Sequence, residues 1–324
     1  MNKKILSLLI CIVMAVAVFA GCASGGPQES PVESPAATQE ESAVPSGPAE
    51  QASEPASSAG GVFTDLSGNE VSIEKADKIV SLTPAGTEIV CAVGAADRLV
   101  GIDASSNYPE ITKSIEVVGD FNGPDVEKVA ALEPDVVLAG TGLQQDAVDK
   151  LKSLGIPVAV VEATTFDEIP QSIKLVGAIV GMEDVAQQVV DEIDAAVKDV
   201  QENKPKEEKT VYYAMSYGDM GNWTSGPGSF INTIIELAGG KCVTDGQAAP
   251  WIEYPVEDLV AANPDIILMD SSMGSTGDIA RSQGYEDLDA VNEGRVYGVD
   301  ADIFTRPGPR IADALKAVSE ILND

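Results

Sequence analysis

Two seventeen-residue stretches, PDVEKVAALEPDVVLAG at 124–140 and YPVEDLVAANPDIILMD at 254–270, repeat one pattern: Val-Glu, an apolar helical turn, Pro-Asp, then an apolar run of strand length. A helical turn feeding a buried strand, found twice, points to parallel strands with crossover helices and to two similarly built halves. The rest of the chain keeps that rhythm. KIVSLT, RLVGID, DVVLAG and PVAVVE alternate with helical stretches, and KTVYYAMSY, DIILMD and RVYGVD do so again before a closing helix at 311–322. Between the two sets the spacing predicts a helix from about Asp167 and a longer one from about Asp184 to Glu202. At 1.5 Å per residue the longer helix spans roughly 30 Å. The expected fold is α/β: two Rossmann-like lobes with mainly parallel sheets, residues 61–170 and 205–324, joined by a helical segment at 171–204 that contains one long interlobe helix.

Lys3 and Lys4 precede an apolar run from Ile5 to Phe19 that closes on Ala20 and Gly21 before Cys22. That run is shorter than the roughly 20 residues a spanning helix needs, so residues 1–21 read as a secretory signal. FAGC at 19–22 has the form of a lipobox, which makes Cys22 the expected lipidation site and places the chain outside the cytoplasm, anchored to the cell membrane. Residues 22–60 are almost all small, polar or Pro and hold no aromatic, so they read as a disordered tether. The membrane is then met only through the lipid.

The chain carries 52 acidic against 20 basic side chains, and two of the basic ones leave with the signal. Such an acidic surface argues against nucleic acid and anionic lipid as partners. Of the four cysteines only Cys91 and Cys242 fall in the folded part, in different halves, where they read as two buried thiols. There is no histidine. A Ser-His-Asp triad, an imidazole base and an imidazole metal site are all excluded, so no catalytic residue and no metal ligand is assigned, and a secreted hydrolase stands only as an alternative of a different class. The glycine-rich pieces at 141–143 and 225–229 lack nucleotide-binding spacing and read as turns.

Trp223 and Trp251 sit in loop-like stretches of the second half, and Tyr108, Phe121, Tyr217 and Phe304 lie near expected strand ends. Aromatics at the carboxyl ends of parallel strands line a cleft, although partial burial against its own lobe is the plainer role for any one of them. Glu127 and Glu257 fall at equivalent places in the repeat, 130 residues apart. A carboxylate in a first turn ordinarily just complements the helix dipole. A matched pair, one per lobe, is a candidate docking device.

The signatures DLSGNEVSI, KIVSLTPAGTEIVCAVG, NYPE, WTSGPGSFINTIIELAGG, PWIEYPVEDL and RPGPRI give the chain from Val62 to Asp324 a resemblance to the class III substrate-binding proteins of ABC importers for cobalamin, siderophores and haem, and most of all to the cobalamin-binding branch. The resemblance implies a helical-backbone periplasmic binding protein, a monomer without a cofactor of its own, holding a cobalt corrinoid or an iron chelate between its lobes and serving an ABC permease with its ATPase subunits. It puts Tyr108, Phe121, Tyr217, Trp223 and Trp251 on aromatic positions facing the ligand, Asp302 and Arg306 on a polar pair directed at it, and Glu127 and Glu257 opposite arginine pockets of the permease. One departure is Gly140-Thr141, where the branch often has a Trp after the strand DVVLA. A ferric siderophore or haem on the same fold is the alternative ligand; anionic catecholates would want more cations than Arg306 and Arg310, and haem without histidine would need a Tyr ligand.

Overall fold

The computed structural model describes residues 60–120, 123–141 and 145–324. The signal, Cys22, nearly all of the tether and Phe121 lie outside the described residues. In the first lobe a hairpin of β1 (Gly61–Thr64) and β2 (Glu70–Ile73) precedes β3 (Ile79–Ser81), α1 (Pro84–Ala92), β4 (Leu99–Asp103), β5 (Val117–Asp120), β6 (Gly123–Pro124), α2 (Val126–Ala131), β7 (Val136–Ala139), α3 (Gln145–Ser153) and β8 (Val158–Val160). Two helices follow, α4 (Ile169–Val180) and α5 (Glu183–Glu202). The second lobe contains β9 (Lys209–Ala214), β10 (Trp223–Ser225), α6 (Phe230–Leu237), β11 (Gly240–Cys242), β12 (Trp251–Glu253), α7 (Val256–Ala262), β13 (Ile266–Asp270), α8 (Thr276–Ile279), α9 (Asp289–Asn292), β14 (Val296–Val299), α10 (Ala301–Phe304) and α11 (Ile311–Asn323).

The first sheet has strand order β6-β5-β4-β3-β7-β8 and is parallel except for β6; the second has order β11-β9-β13-β14 and is parallel throughout. Strands β7 and β13, the two copies of the repeat, each lie beside the first strand of their own sheet, β3 and β9. The order reverses there in both lobes, and in open α/β sheets ligands bind outside the carboxyl ends at such a point. Both copies are buried along their whole length, as parallel strands covered on two faces require.

The repeat extends to the anchoring of these strands. Asp135 Oδ2 accepts from the backbone N–H of Asp77 (3.0 Å) and Lys78 (2.9 Å), just before β3. Asp265 Oδ2 accepts from the backbone N–H and the hydroxyl of Thr210, both at 2.7 Å, in β9. In each lobe the aspartate that opens the repeated strand ties down the start of its neighbour.

The interlobe segment is two helices, because Gly181 ends α4 in the left-handed region at φ 71° and only then does α5 start. Helix α5 buries Ala186, Val190, Ile193, Ala196 and Val200, one face at helical spacing, and packs against α4 and α11. Cys242 is buried and Cys91 half-buried, both as free thiols. Burial and the nearby Glu88 push the Cys91 thiol up to about 11, and burial pushes Cys242 higher, which disfavours the reactive thiolate at both.

Candidate ligand-binding site between the lobes

Helix α1 begins at the carboxyl end of β3, where the Thr83 hydroxyl accepts from the Gly86 N–H at 3.1 Å and caps it. Its second turn carries Glu88, 3% exposed between Ile89, Val90 and Ala85. A carboxylate in such a setting demands partners, and both come from the other lobe. Arg306 Nη1 donates to Glu88 Oε1 at 2.9 Å, while Arg310 donates through Nη2 to Oε1 (2.6 Å) and through Nε to Oε2 (2.8 Å). Arg306 also donates to the Ser105 carbonyl (3.0 Å) and Asn107 Oδ1 (2.8 Å) of the first lobe and pairs with Asp302 at 2.6 Å. Asn107 in turn donates to Asp302 Oδ2 at 2.8 Å. Arg310 lies 4.3 Å from the centre of the Tyr108 ring, and its bonds to Glu88 raise its pKa above the ordinary value.

Asp302 and Arg306 therefore belong to a network that ties the lobes together. Tyr108 keeps 48% of its surface exposed, with Arg310 over its ring. Tyr108, Glu88 and Arg310 line a groove of about 670 Å³ that Ala195 and Ala196 of α5 also border.

A second cavity, about 230 Å³, opens at the carboxyl ends of the first sheet, lined by Thr83, Asp103, Asp120, Thr141 and Glu162 among others. Burial, with the Asp103 charge behind it, pushes the Glu162 carboxyl up to about 7. This side chain closely approaches Gly140. A Cβ there would stand 2.3 Å from Glu162 Oε2 and 3.0 Å from Thr83 Cγ2.

In the second lobe Trp223 and Trp251 occupy strands, not loops: β10 and β12 form an antiparallel ribbon in which Ser225 faces Trp251 and Trp223 faces Glu253. The ribbon holds the indoles out, 42% and 39% exposed, with Trp251 edge-on to Phe230 at 5.9 Å. Tyr217 is half-buried in its own lobe, donating to the Met273 carbonyl at 3.1 Å and packing edge-on to Tyr285. Phe304 is 2% exposed and stacks on Tyr213, so it fills the core and does not line a cleft. Glu127 and Glu257 both stand exposed in the first turns of α2 and α7. Glu257 also borders a cavity of about 680 Å³ in the second lobe.

The sequence reading did not single out Glu88, Asn107 or Glu162 as site residues. For Glu88 a signal exists: a lone charge inside the apolar helix TEIVCAVG has to be neutralised by something distant.

Two parallel-sheet lobes bridged by a long helix, with the Glu88 ion pairs and the Tyr108 ring meeting Arg306 and Arg310 at the junction, define a two-lobed solute-binding protein, not an enzyme. Residues 79–303 match the periplasmic binding protein family, and the chain belongs to it. It is 36% identical over 265 residues to an ABC transporter substrate-binding lipoprotein, YvrC, of Bacillus subtilis strain 168, covering 79% of this chain and 83% of that one. Among solved structures it is similar to a possible iron-binding periplasmic solute-binding protein of Staphylococcus epidermidis (27% identity, TM-score 0.68, 78% of this chain and 100% of that one). It is also similar to the periplasmic vitamin B12-binding protein BtuF of Vibrio cholerae (26% identity, TM-score 0.67, 76% and 96%).

Proposed function

We propose that the chain is the lipid-anchored receptor of an ABC importer and that it captures cobalamin or a related corrinoid between its lobes. The ligand choice rests on two features of the molecule, two exposed indoles, Trp223 and Trp251, and junction arginines already neutralised by Glu88, and this reading places the indoles at that junction. Such a junction offers stacking surface and hydrogen-bond acceptors but little free positive charge. A corrinoid, with its flat macrocycle and rim of neutral amides, suits it better than an anionic ferric catecholate. Asp103, Asp120 and Glu162 around the smaller cavity favour amide donors for the same reason.

In this reading Tyr108, Phe121, Tyr217, Trp223 and Trp251 supply stacking surface and the part-exposed Asp302 a polar contact, while Arg306 holds Asp302 in place from within the network. No bond of the ligand is broken. The protein works as a monomer, its exposed Glu127 and Glu257 docking on the permease, whose ATPase subunits drive uptake, while acylated Cys22 holds it outside the membrane. The similarity to a possible iron-binding protein keeps an iron chelate as the second reading. Calorimetric titration with cyanocobalamin, a ferric siderophore and haemin separates the two: heat with the corrinoid at one-to-one stoichiometry is expected, and heat with an iron compound alone would transfer the protein to the second class.

A further inference from the structure

We propose that Glu88 is the positioning residue that fixes the angle between the two lobes. Its carboxylate, 2% exposed, is the meeting point of two guanidinium groups that lie 218 and 222 residues further along the chain. Both oxygens are used, and Arg310 engages them with two donors of one planar fork. A fork of this kind constrains direction as well as distance, which a point charge such as Lys does not.

Each arginine is then held from a second side. Arg306 is tied to Ser105 and Asn107 of the first lobe and to Asp302 of its own, and Arg310 rests on the Tyr108 ring. The clasp sits beside the bridging helix, since Glu88 and Arg310 border the same groove as Ala195 and Ala196 of α5. A contact near the bridge has a short lever arm. It persists while the far rim of the lobes opens, and it limits how far and in which direction they rotate. The small closure expected of a helix-bridged receptor therefore has two causes, the stiff helix and the Glu88 clasp.

This holds whatever the ligand and is tested without one. In the full chain with Cys91 and Cys242 replaced by serine, and Cys22 kept for its acyl chain, spin labels at Glu127→Cys and Glu257→Cys report the distance between the lobes. With Glu88 present a single narrow distribution is expected. Glu88→Gln broadens it at least twofold, and Glu88→Asp, which keeps the charge, returns it to one peak. Amide exchange in β7 and β13 stays protected in all three, showing that each lobe remains folded. A Glu88→Gln distribution that superimposes on the parent overturns the proposal, as does a broadening accompanied by loss of protection within the lobes. If Glu88→Gln does not fold, Arg310→Lys takes its place, keeping the charge and losing the fork; superposition there overturns the proposal equally.

Discussion

Glu133 and Asn263 stand at equivalent places in the two lobes, at the exits of α2 and α7, and both adopt the left-handed backbone conformation, with φ of 50° and 42°. Among the described residues they are the non-glycine residues that do so. Each reverses the chain just before Pro134 or Pro264 so that Asp135 or Asp265 reaches the neighbouring strand. The repeat read in the sequence is thus a repeat of backbone geometry.

The two positions respond oppositely to glycine. Glu133→Gly relieves a side chain of a conformation it disfavours and is expected to stabilise the fold by about 0.5–1 kcal/mol. Asn263 exchanges two hydrogen bonds with Asp289, so Asn263→Gly is expected to cost about 1 kcal/mol. Urea melts of the two variants measure both signs.

Glu162 makes stability depend on pH. Its folded pKa of about 7 lies above the ordinary carboxylate value of 4.5, so the folded chain holds a proton that the unfolded chain has lost across that window. Stability falls as pH rises from about 4.5 to about 7, and the penalty is complete above it. Glu162→Gln removes the penalty. It is expected to raise stability at pH 8 by on the order of 2–3 kcal/mol and to change it little at pH 5, as read from thermal melts at the two pH values. An equal effect at both would place the Glu162 carboxyl in water.

The Glu127→Ala, Glu257→Ala double variant leaves ligand affinity within about twofold, because neither residue lines the junction, and lowers uptake by about tenfold or more, roughly 1.4 kcal/mol of docking. Ligand binding by the purified variant and uptake by cells that carry it are the two measurements. Undiminished uptake would remove the docking role from both residues.

Much of this was legible in the chain. The repeated blocks located β7 and β13, and the interlobe helix was read at about 184–202 against Glu183–Glu202. Periodicity could not reveal the ribbon of β10 and β12, whose three-residue strands are too short to show alternation. Nor could it tell Phe304, packed on Tyr213, from Trp251, held out on the ribbon, since an aromatic near a strand end carries the same one-letter signal in both settings. The partners of Glu88 were hidden for a different reason. A buried charge announces that it needs a counter-charge but not where in the chain that lies, and here it lies in the other lobe.

The chain contains two tryptophans, Trp223 and Trp251, both on the exposed ribbon, so its intrinsic indole fluorescence arises from that ribbon alone. Titration of that fluorescence with cyanocobalamin is the decisive measurement. The expected result is saturable quenching at one-to-one stoichiometry, with Trp223→Ala weakening affinity by about tenfold or more, roughly 1.4 kcal/mol. Fluorescence unchanged by the corrinoid beyond its own absorbance, or binding that Trp223→Ala and Trp251→Ala both leave intact, would contradict the assignment.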